Sequence, residues 1–469
     1  MKITRRKCGF GGALAAALLA STLAAPAVAA DWRSDWAAFA AKTGEPGHKA
    51  WAQMVAAPNA KALDEAWRAY RGYDASSLIA AGNIPAELQP GLIINKGNLA
   101  SMPWLARYLP GFWRTRVNNP WFGVQQIRIV PTSHYYMSAQ MLAATKKVAP
   151  GSLTFSPSGE LLGAGNKLFM ATSGGIPFPK PKTGLELNYS QMAHGVGIDD
   201  MHFQNITMAV CNRSNQAERT YQAELWWRKL GGRVEDAPLG SITTFGDAQE
   251  AGAIVFKSPR DVRGLAGARI RYPATTKDDN FKVFIPTLRR TRTLAGTNGQ
   301  DPLAAGLEFS WDEWRSHWSK TDLKKFDYKM AGQGFILAQP EVGKAYNPLK
   351  AAANGCSASA VDLELRPVWI LDITDKTGTY QYKRQRLYID KELYYVQYKE
   401  MFDRAGKLLR VWDDARDFDP STGKSQWKNA LVANVNANRV TYITMKSDWG
   451  PGRTAMNNSI FDIDQLRNR

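Results

Sequence analysis

Cysteine is scarce in this chain of 469 residues: Cys8, Cys211 and Cys356 are all there is. No histidine falls among them at zinc-site spacing, which removes the structural zinc modules. Histidine is scarce as well, at five residues (His48, His134, His194, His202 and His317). No two of these form the HExxH helix pair of a metalloprotease. The GxSxG pentapeptide of α/β-hydrolases is missing, so that route to a serine nucleophile is closed. Missing too are a P-loop and a full GxGxxG after a strand, the glycine-rich cradles that hold nucleotide phosphates. After the leader no run is apolar enough to span a membrane, and there is no internal repeat, low-complexity tract or dividing linker. Nothing that remains asks for a cofactor or a metal.

What is present begins with a leader. Met1-Lys-Ile-Thr-Arg-Arg-Lys7 is basic, Gly9 to Ala25 is almost wholly small and apolar, and Pro26-Ala27-Val28-Ala29-Ala30-Asp31 offers small residues at a cleavage position. This is the pattern of a signal peptide over residues 1–30, cut after Ala29 or Ala30. The stretch is too short and too rich in alanine and glycine for a retained anchor. Cys8 precedes the apolar run, so it is not where a lipoprotein would be lipidated. Arg5-Arg6 is followed by an aromatic, Phe10, later than a twin-arginine signal normally has it, which favours the general secretory route. The expected location is the periplasm of a Gram-negative envelope. Losing Lys2, Arg5, Arg6 and Lys7 lowers the formal net charge from +18 to +14. That surplus suits peripheral contact with an anionic membrane surface, or simply a basic soluble protein. Cys211 and Cys356 remain in an oxidising compartment, where a single disulfide is open to them but not dictated by sequence.

Along the mature chain the texture changes twice. Residues 31–120 read as a helical and irregular arm: Trp36 and Phe39, then Trp51 and Val55, then Leu63, Trp67 and Tyr70 recur at helical spacing. Pro85, Pro90, Pro103, Pro110 and Pro120 then punctuate an irregular stretch. From Val124 on, short β-branched and aromatic runs predict strands through about residue 450, with 451–469 as a tail. In Val361 to Thr374, Leu363, Leu365, Trp369, Leu371 and Ile373 share one parity, while Glu364, Arg366 and Asp372 take the other. That predicts one buried face and one face that is wet or lines something polar. The segments 379–389, 393–402 and 407–412 form an antiparallel meander, turning tightly at Asp403-Arg404-Ala405-Gly406. Arg439 to Lys446 is expected to close the sheet. The fold class is α+β, with residues 31–469 as one domain.

Chemistry-bearing clusters are few. His194-Gly-Val-Gly-Ile-Asp-Asp200-Met-His202 gathers two imidazoles and two carboxylates, which would suit a metal or a proton shuttle, or a plain polar loop. Trp311-Asp312-Glu313-Trp314 and Trp412-Asp413-Asp414 set carboxylates beside tryptophan, as a sugar-cleaving cleft does, although capped turns and arginine partners do the same. Arg289, Arg290, Arg292, Lys383, Arg384 and Arg386 lie near Tyr380, Tyr382 and Tyr388, a nucleic-acid pattern that export argues against. Alternation puts Tyr380, Tyr382, Arg384, Arg386 and Tyr388 on one face, able to take an anionic amphiphile or merely to be solvated.

Several separated motifs then resemble one family. They are Ser173-Gly-Gly-Ile-Pro-Phe-Pro179 with Gly184-Leu-Glu, Val283-Phe-Ile-Pro-Thr-Leu-Arg-Arg-Thr-Arg292, Gly332-Gln-Gly-Phe, Arg366-Pro-Val-Trp369 and Arg386-Leu-Tyr-Ile-Asp-Lys-Glu392. Together they resemble the exported bacterial family called domain of unknown function 1329 (DUF1329), over nearly all of the mature chain. The resemblance implies a fold like the outer-membrane lipoprotein-sorting proteins LolA and LolB: a strongly curved antiparallel sheet forming an open half-barrel with helices in its mouth. It also implies an association with transporters of the resistance-nodulation-division (RND) type, and it brings no catalytic residues. The expected function is a non-catalytic periplasmic carrier or accessory protein for a lipid or other hydrophobic molecule. A periplasmic hydrolase and a ligand-free structural adaptor are the alternatives. Candidate lining residues are Leu365, Trp369 and Leu371 on one face, or Tyr382 and Arg386 on the other.

Overall fold

The structure is a computed structural model that describes residues 31–119, 124–148, 151–194, 198–294, 299–313, 320–341, 349–351, 356, 358–447 and 456–467. The expected signal peptide at residues 1–30 lies outside the described residues.

The arm folds into helices with ordinary start and stop signals. α1 (Trp32–Thr43) is capped by Asp31, whose side chain accepts from the Arg33 amide, and it ends on Gly44 at φ +69°, a conformation costly for other residues. Proline opens α2 (Pro46–Val55) and α3 (Pro58–Arg71), where its missing amide is not needed. A capping box between Asp74 and Ser77 starts α4 (Ala75–Ala80). Trp32, Trp36, Trp51 and Trp67 are buried in the largest apolar cluster. Each indole nitrogen with a partner reaches across elements, Trp67 to the Met137 carbonyl at 2.7 Å and Trp32 to Asp64 at 3.0 Å.

β1 (Ile93–Asn95), α5 (Gly111–Asn118) and β2 (Val124–Ile129) follow. The next stretch departs from the expected run of strands. α6 (Ala139–Lys147), the short pair β3 (Thr154–Phe155) and β4 (Leu161–Leu162), the one-turn α7 (Phe169–Thr172) and α8 (Gly184–His194) occupy it. Here the β-branched runs that carry the strand signal are absent, and the Ser173-Gly174-Gly175 motif has a packing reason. A Cβ on Gly174 would stand 2.5 Å from the Gly232 carbonyl oxygen, so only a bare backbone fits.

The sheet is then laid down by β5 (Asp200–Cys211), β6 (Ala217–Lys229), β7 (Glu250–Ser258), β8 (Ala266–Arg271), β9 (Asn280–Ile285) and β10 (Arg290–Thr293). β11 (Phe326–Ala338), β12 (Leu349–Ala351) and the long β13 (Ala358–Asp375) come next. The meander β14 (Arg384–Asp390), β15 (Val396–Phe402), β16 (Leu408–Asp419), β17 (Lys424–Asn434) and β18 (Arg439–Ser447) completes it. A final turn, α9 (Ile463–Leu466), packs on a smaller cluster with Ala268 and Ile270 of β8.

Sixteen strands form one sheet in the order β1-β2-β13-β14-β15-β16-β17-β18-β5-β6-β7-β8-β9-β10, with β11 and β12 also on β13. All pairings are antiparallel except β2 with β13. The fold is therefore α+β with a strongly curved, open antiparallel sheet. β18 does not close it: it joins the meander to β5, and the sheet ends on β1 and β10. One face, here the inner one, packs on the arm helices and on residues 299–313. The other carries a second core with α5, Ile127, Leu363 and Tyr398.

β13 overturns the expected division into dry and wet faces. Leu363 and Leu365 join the outer core, whereas Trp369, Leu371 and Ile373 join the inner one. Glu364 and Arg366, on the parity expected to be polar, are fully buried. Both sides of this strand are covered, and residues of one parity pass from the outer core to the inner one between Leu365 and Trp369. The meander differs at its start: β14 begins at Arg384, so Tyr382 turns into the inner core while Arg386 stays at the surface with Asp372. Its turn is as expected, with Asp403 accepting from the amides of Ala405 and Lys407.

Two links hold distant parts of the chain together. Arg366 donates from Nε to Asp390 at 2.8 Å and from Nη2 to Glu392 at 2.7 Å. Glu392 also accepts from the amides of Ala75 and Tyr135, at 3.0 and 2.9 Å. The second link is a disulfide between Cys211 and Cys356, residues 145 apart in sequence. Replacing both cysteines by serine is expected to lower unfolding free energy by about 2–4 kcal/mol, read as a lower urea midpoint at unchanged slope. Arg366→Met leaves buried Asp390 without its cation and Glu392 with Arg71 alone, 3.5 Å away, and is expected to cost about 3–5 kcal/mol in the same measurement. A cost under about 1 kcal/mol would contradict that role for Arg366.

Candidate functional site

The inner face holds two apolar spaces side by side. One, of about 20 Å³, is walled by Ile206, Leu225, Ile254, Trp412, Trp427 and Ile443 from six different strands. The other, of about 30 Å³, lies between Leu225, Gly252, Ile254, Arg269 and Trp311. Leu225, Ile254 and Leu303 belong to both linings, so Leu303 stands as the partition.

Leu303 comes from the connection after β10, whose described part is 299–313. This segment folds back on itself through a bridge between Pro302 and Ser310 and a turn at Gly306, φ +80°. It sends Leu303, Ala304, Leu307 and Phe309 into the inner core. Phe309 meets Trp412 edge-on at 5.8 Å, and Trp311 meets Phe281 at 4.9 Å. Trp311 can lie flat on β8 because residue 267 is glycine: a Cβ there would come within 2.4 Å of the indole. Polar contacts pin the rim of the segment. Asp312 faces Arg269 at 3.4 Å, Glu308 accepts from Asn434 at 2.9 Å and its amide donates to Thr441 at 2.9 Å. Glu313 accepts from the Tyr382 hydroxyl. The segment is thus an apolar plug held by polar contacts at its margin.

Several buried carboxylates lie away from these spaces. Burial, reinforced by the neighbouring Asp414 but opposed by Arg116, pushes Asp413 up to about 7. It sits 3.1 Å from the Gln339 amide and 3.8 Å from Arg116. Burial, with the nearby Asp199, does the same to Glu235, again to about 7, and Asp414 rises to about 6. None of these carboxylates lines the two apolar spaces.

The sequence candidates separate. Trp369, Leu371 and Tyr382 belong to the same inner cluster as Leu303 and Trp412, but none touches the two spaces. Trp369 is stacked on Tyr394 at 5.6 Å. Leu365 is in the outer core, and Arg386 is paired with Asp372 at 2.8 Å. The residues that do line the spaces come from strands far apart in sequence. Their only local signal was apolar alternation in segments such as Asn205-Ile-Thr-Met-Ala-Val210.

The histidine cluster is dispersed. His194 bonds to the Leu393 carbonyl at 2.7 Å, Asp200 is clasped by Arg228 and Arg233, and His202 bonds to Glu224 at 2.7 Å. Asp199 accepts from the amides of Val234, Glu235 and Asp236, which shapes a turn. Among the described residues no group of three His, Cys, Asp or Glu side chains could hold a metal ion. His317 and Trp314 lie outside the described residues.

Residues 122–467 match the family model described as protein of unknown function (DUF1329). Among solved structures, similar ones include a Vibrio parahaemolyticus domain named provisionally as an outer membrane lipoprotein-sorting protein. It is 18% identical, with 60% of this chain and 97% of that one covered and a TM-score of 0.43. A DUF1329 family protein from Desulfovibrio piger is 16% identical over 59% and 95%, TM-score 0.42. A LolA superfamily protein from Nitrosomonas europaea is 10% identical over 60% and 98%, TM-score 0.37. No curated protein matches the chain.

The raised carboxylates have a consequence for pH. A folded-state value near 7 against about 4 unfolded means that the native state binds more protons between those limits. The stability they contribute is complete below about pH 4 and is lost as pH rises through about 7. Unfolding free energy should therefore fall from about pH 5 to 8, and the pair Asp413→Asn with Glu235→Gln should flatten that fall in urea titrations. An unchanged slope in the double variant would show that these two groups do not carry it.

Proposed function

The chain belongs to the DUF1329 family, and we propose that it is a non-catalytic carrier or accessory protein that shields a lipid or other hydrophobic molecule on the inner face of its sheet. The observation that carries this reading is the pair of apolar spaces divided by Leu303. Such walls remove apolar surface from water at roughly 25 cal/mol per Å², and they offer no group that would react with what they hold. Moving the 299–313 segment aside would join the two spaces into one trough.

In this reading Trp369, Leu371 and Tyr382 back the trough, with Tyr382 anchoring the plug through Glu313, while Leu365 and Arg386 take no part. Export to the periplasm follows from the leader pattern. No helix among the described residues is long and apolar enough to cross a membrane. An RND-type transporter as the working partner rests on the family resemblance. The hydrolase reading has less support: the His194 to His202 residues serve turns and ion pairs, and Asp413 and Asp414 face no cleft among the spaces described.

Native mass spectrometry of the gently purified exported chain should show a stoichiometric apolar passenger. Two substitutions at the partition should move binding of the fluorescent apolar probe N-phenyl-1-naphthylamine in opposite directions. Leu303→Trp fills the spaces and should weaken it tenfold or more, about 1.4 kcal/mol. Leu303→Ala merges them and should strengthen probe binding even as it lowers stability by about 2–5 kcal/mol. No passenger, together with probe binding indifferent to both substitutions, would sink the carrier.

A further inference from the structure

We propose that the end of the sheet formed by the β7–β8 and β9–β10 connections docks on the anionic headgroup surface of a lipid membrane. Leu288, at the tip of the β9–β10 turn, is 49% exposed and, among the described residues, is one of two large apolar side chains, with Leu239, that stand so far out of the fold. It is followed at once by Arg289 and Arg290, and Arg292 continues along β10, all exposed. A Cβ placed on Gly264 of the neighbouring β7–β8 connection would stand 3.6 Å from the Pro286 ring. That places Arg260 and Arg263, also exposed, beside the same tip.

The ion pairs of this region single out these arginines. Asp261 is taken by Arg219 and Glu224 by Lys257, so the local carboxylates are spent on other cations. Arg260, Arg289, Arg290 and Arg292 have no acidic partner among the described residues, and Arg263 donates only to the Lys257 carbonyl. An ordinary solvated face mixes charges of both signs. On these two turns the one carboxylate, Asp261, is already paired with Arg219, so the unspent charge around the projecting leucine is of one sign. Arg289 also holds a left-handed backbone, φ +49°, a conformation that a non-glycine residue adopts only under constraint from its surroundings.

The shape selects the partner. The residues sit on two convex turns, and none of them lines any of the cavities described above or the apolar groove beside α6. A peptide would need a groove. A plane of phosphate headgroups needs convex tips with spare cations, and Leu288 can enter between the headgroups while the guanidinium groups stay at their level. The outer edge of β10 is kept from adding a foreign strand by its own charges. This surface is separate from the apolar trough and stands on its own observations, whatever the trough carries.

The test is sedimentation of the exported, purified chain with vesicles of phosphatidylcholine, with and without 30% phosphatidylglycerol as the anionic probe. Binding is expected only with phosphatidylglycerol, and it should weaken as salt shortens the screening length. Arg260→Gln, Arg289→Gln, Arg290→Gln and Arg292→Gln together should lower the partition coefficient by about fivefold per charge removed. A control removes the same charge elsewhere through Lys42→Gln, Lys49→Gln, Lys61→Gln and Lys96→Gln, and should change it little. Leu288→Ser should weaken binding at high salt, where the electrostatic share is screened. Absence of binding to the anionic vesicles overturns the proposal and would leave an acidic protein as the patch's partner. Equal loss from both charge sets also overturns it, since the attraction would then belong to net charge and not to this surface. Neither result bears on probe uptake by the trough, so the two readings fail separately.

Discussion

The contact on which the rest of this fold depends is the one between Arg366 and the carboxylates of Asp390 and Glu392, all fully buried. A guanidinium taken out of water is costly unless its donors are met in good geometry. Here the partners come from three parts of the chain: the meander through Asp390 and Glu392, the 130–137 segment through the Ser133 carbonyl, and the arm through the Ala75 amide that Glu392 receives. Arg71 repeats the motif from the arm side, donating to the carbonyls of Glu392 and Tyr135. An apolar substitute could fill the volume, but it could not fix which segments meet. The polar cluster therefore sets the register of arm on sheet, and the large indoles of α1 to α3 fill the space that this register leaves.

That constraint explains what was readable from the residues alone. The helical character of the arm was legible because Trp36 and Phe39, Trp51 and Val55, and Leu63, Trp67 and Tyr70 recur at helical spacing. The hairpin at Asp403 to Gly406 was legible because its turn chemistry is local. The two faces of β13 were not, because alternation assumes water on one side, and the Arg366 cluster dries both. The pairing of Cys211 with Cys356 was equally out of reach. It depends on β5 and the start of β13 being brought together by strands that lie between them in the sheet and not in sequence.

The candidate site was partly legible for a related reason. Alternation finds buried residues, and it found Trp369 and Leu371, which belong to the inner cluster. It cannot say which buried residues border empty space. Ile206, Leu225, Trp412 and Ile443 meet only after the sheet has curved, and Leu303 arrives from a connection with no periodicity of its own.

The plug and the polar cluster divide the labour of the inner face. Around Arg366 the packing is closed by charge and cannot open without exposing buried ions. Around Leu303 it is closed by side chains that any apolar molecule of similar shape could replace. Displacing the plug into water would lose the burial of Leu303, Leu307 and Phe309, a cost of about 1.5–3 kcal/mol for each side chain. In the proposed carrier a hydrophobic occupant would restore the desolvation on the sheet side, so that its presence would bias the opening. The rim contacts through Asp312, Glu308 and Glu313 are then what keeps the empty protein shut. None of these rim contacts involves Arg366, Asp390 or Glu392, so the plug and the cluster that keeps the rest of the fold in register are held by separate groups.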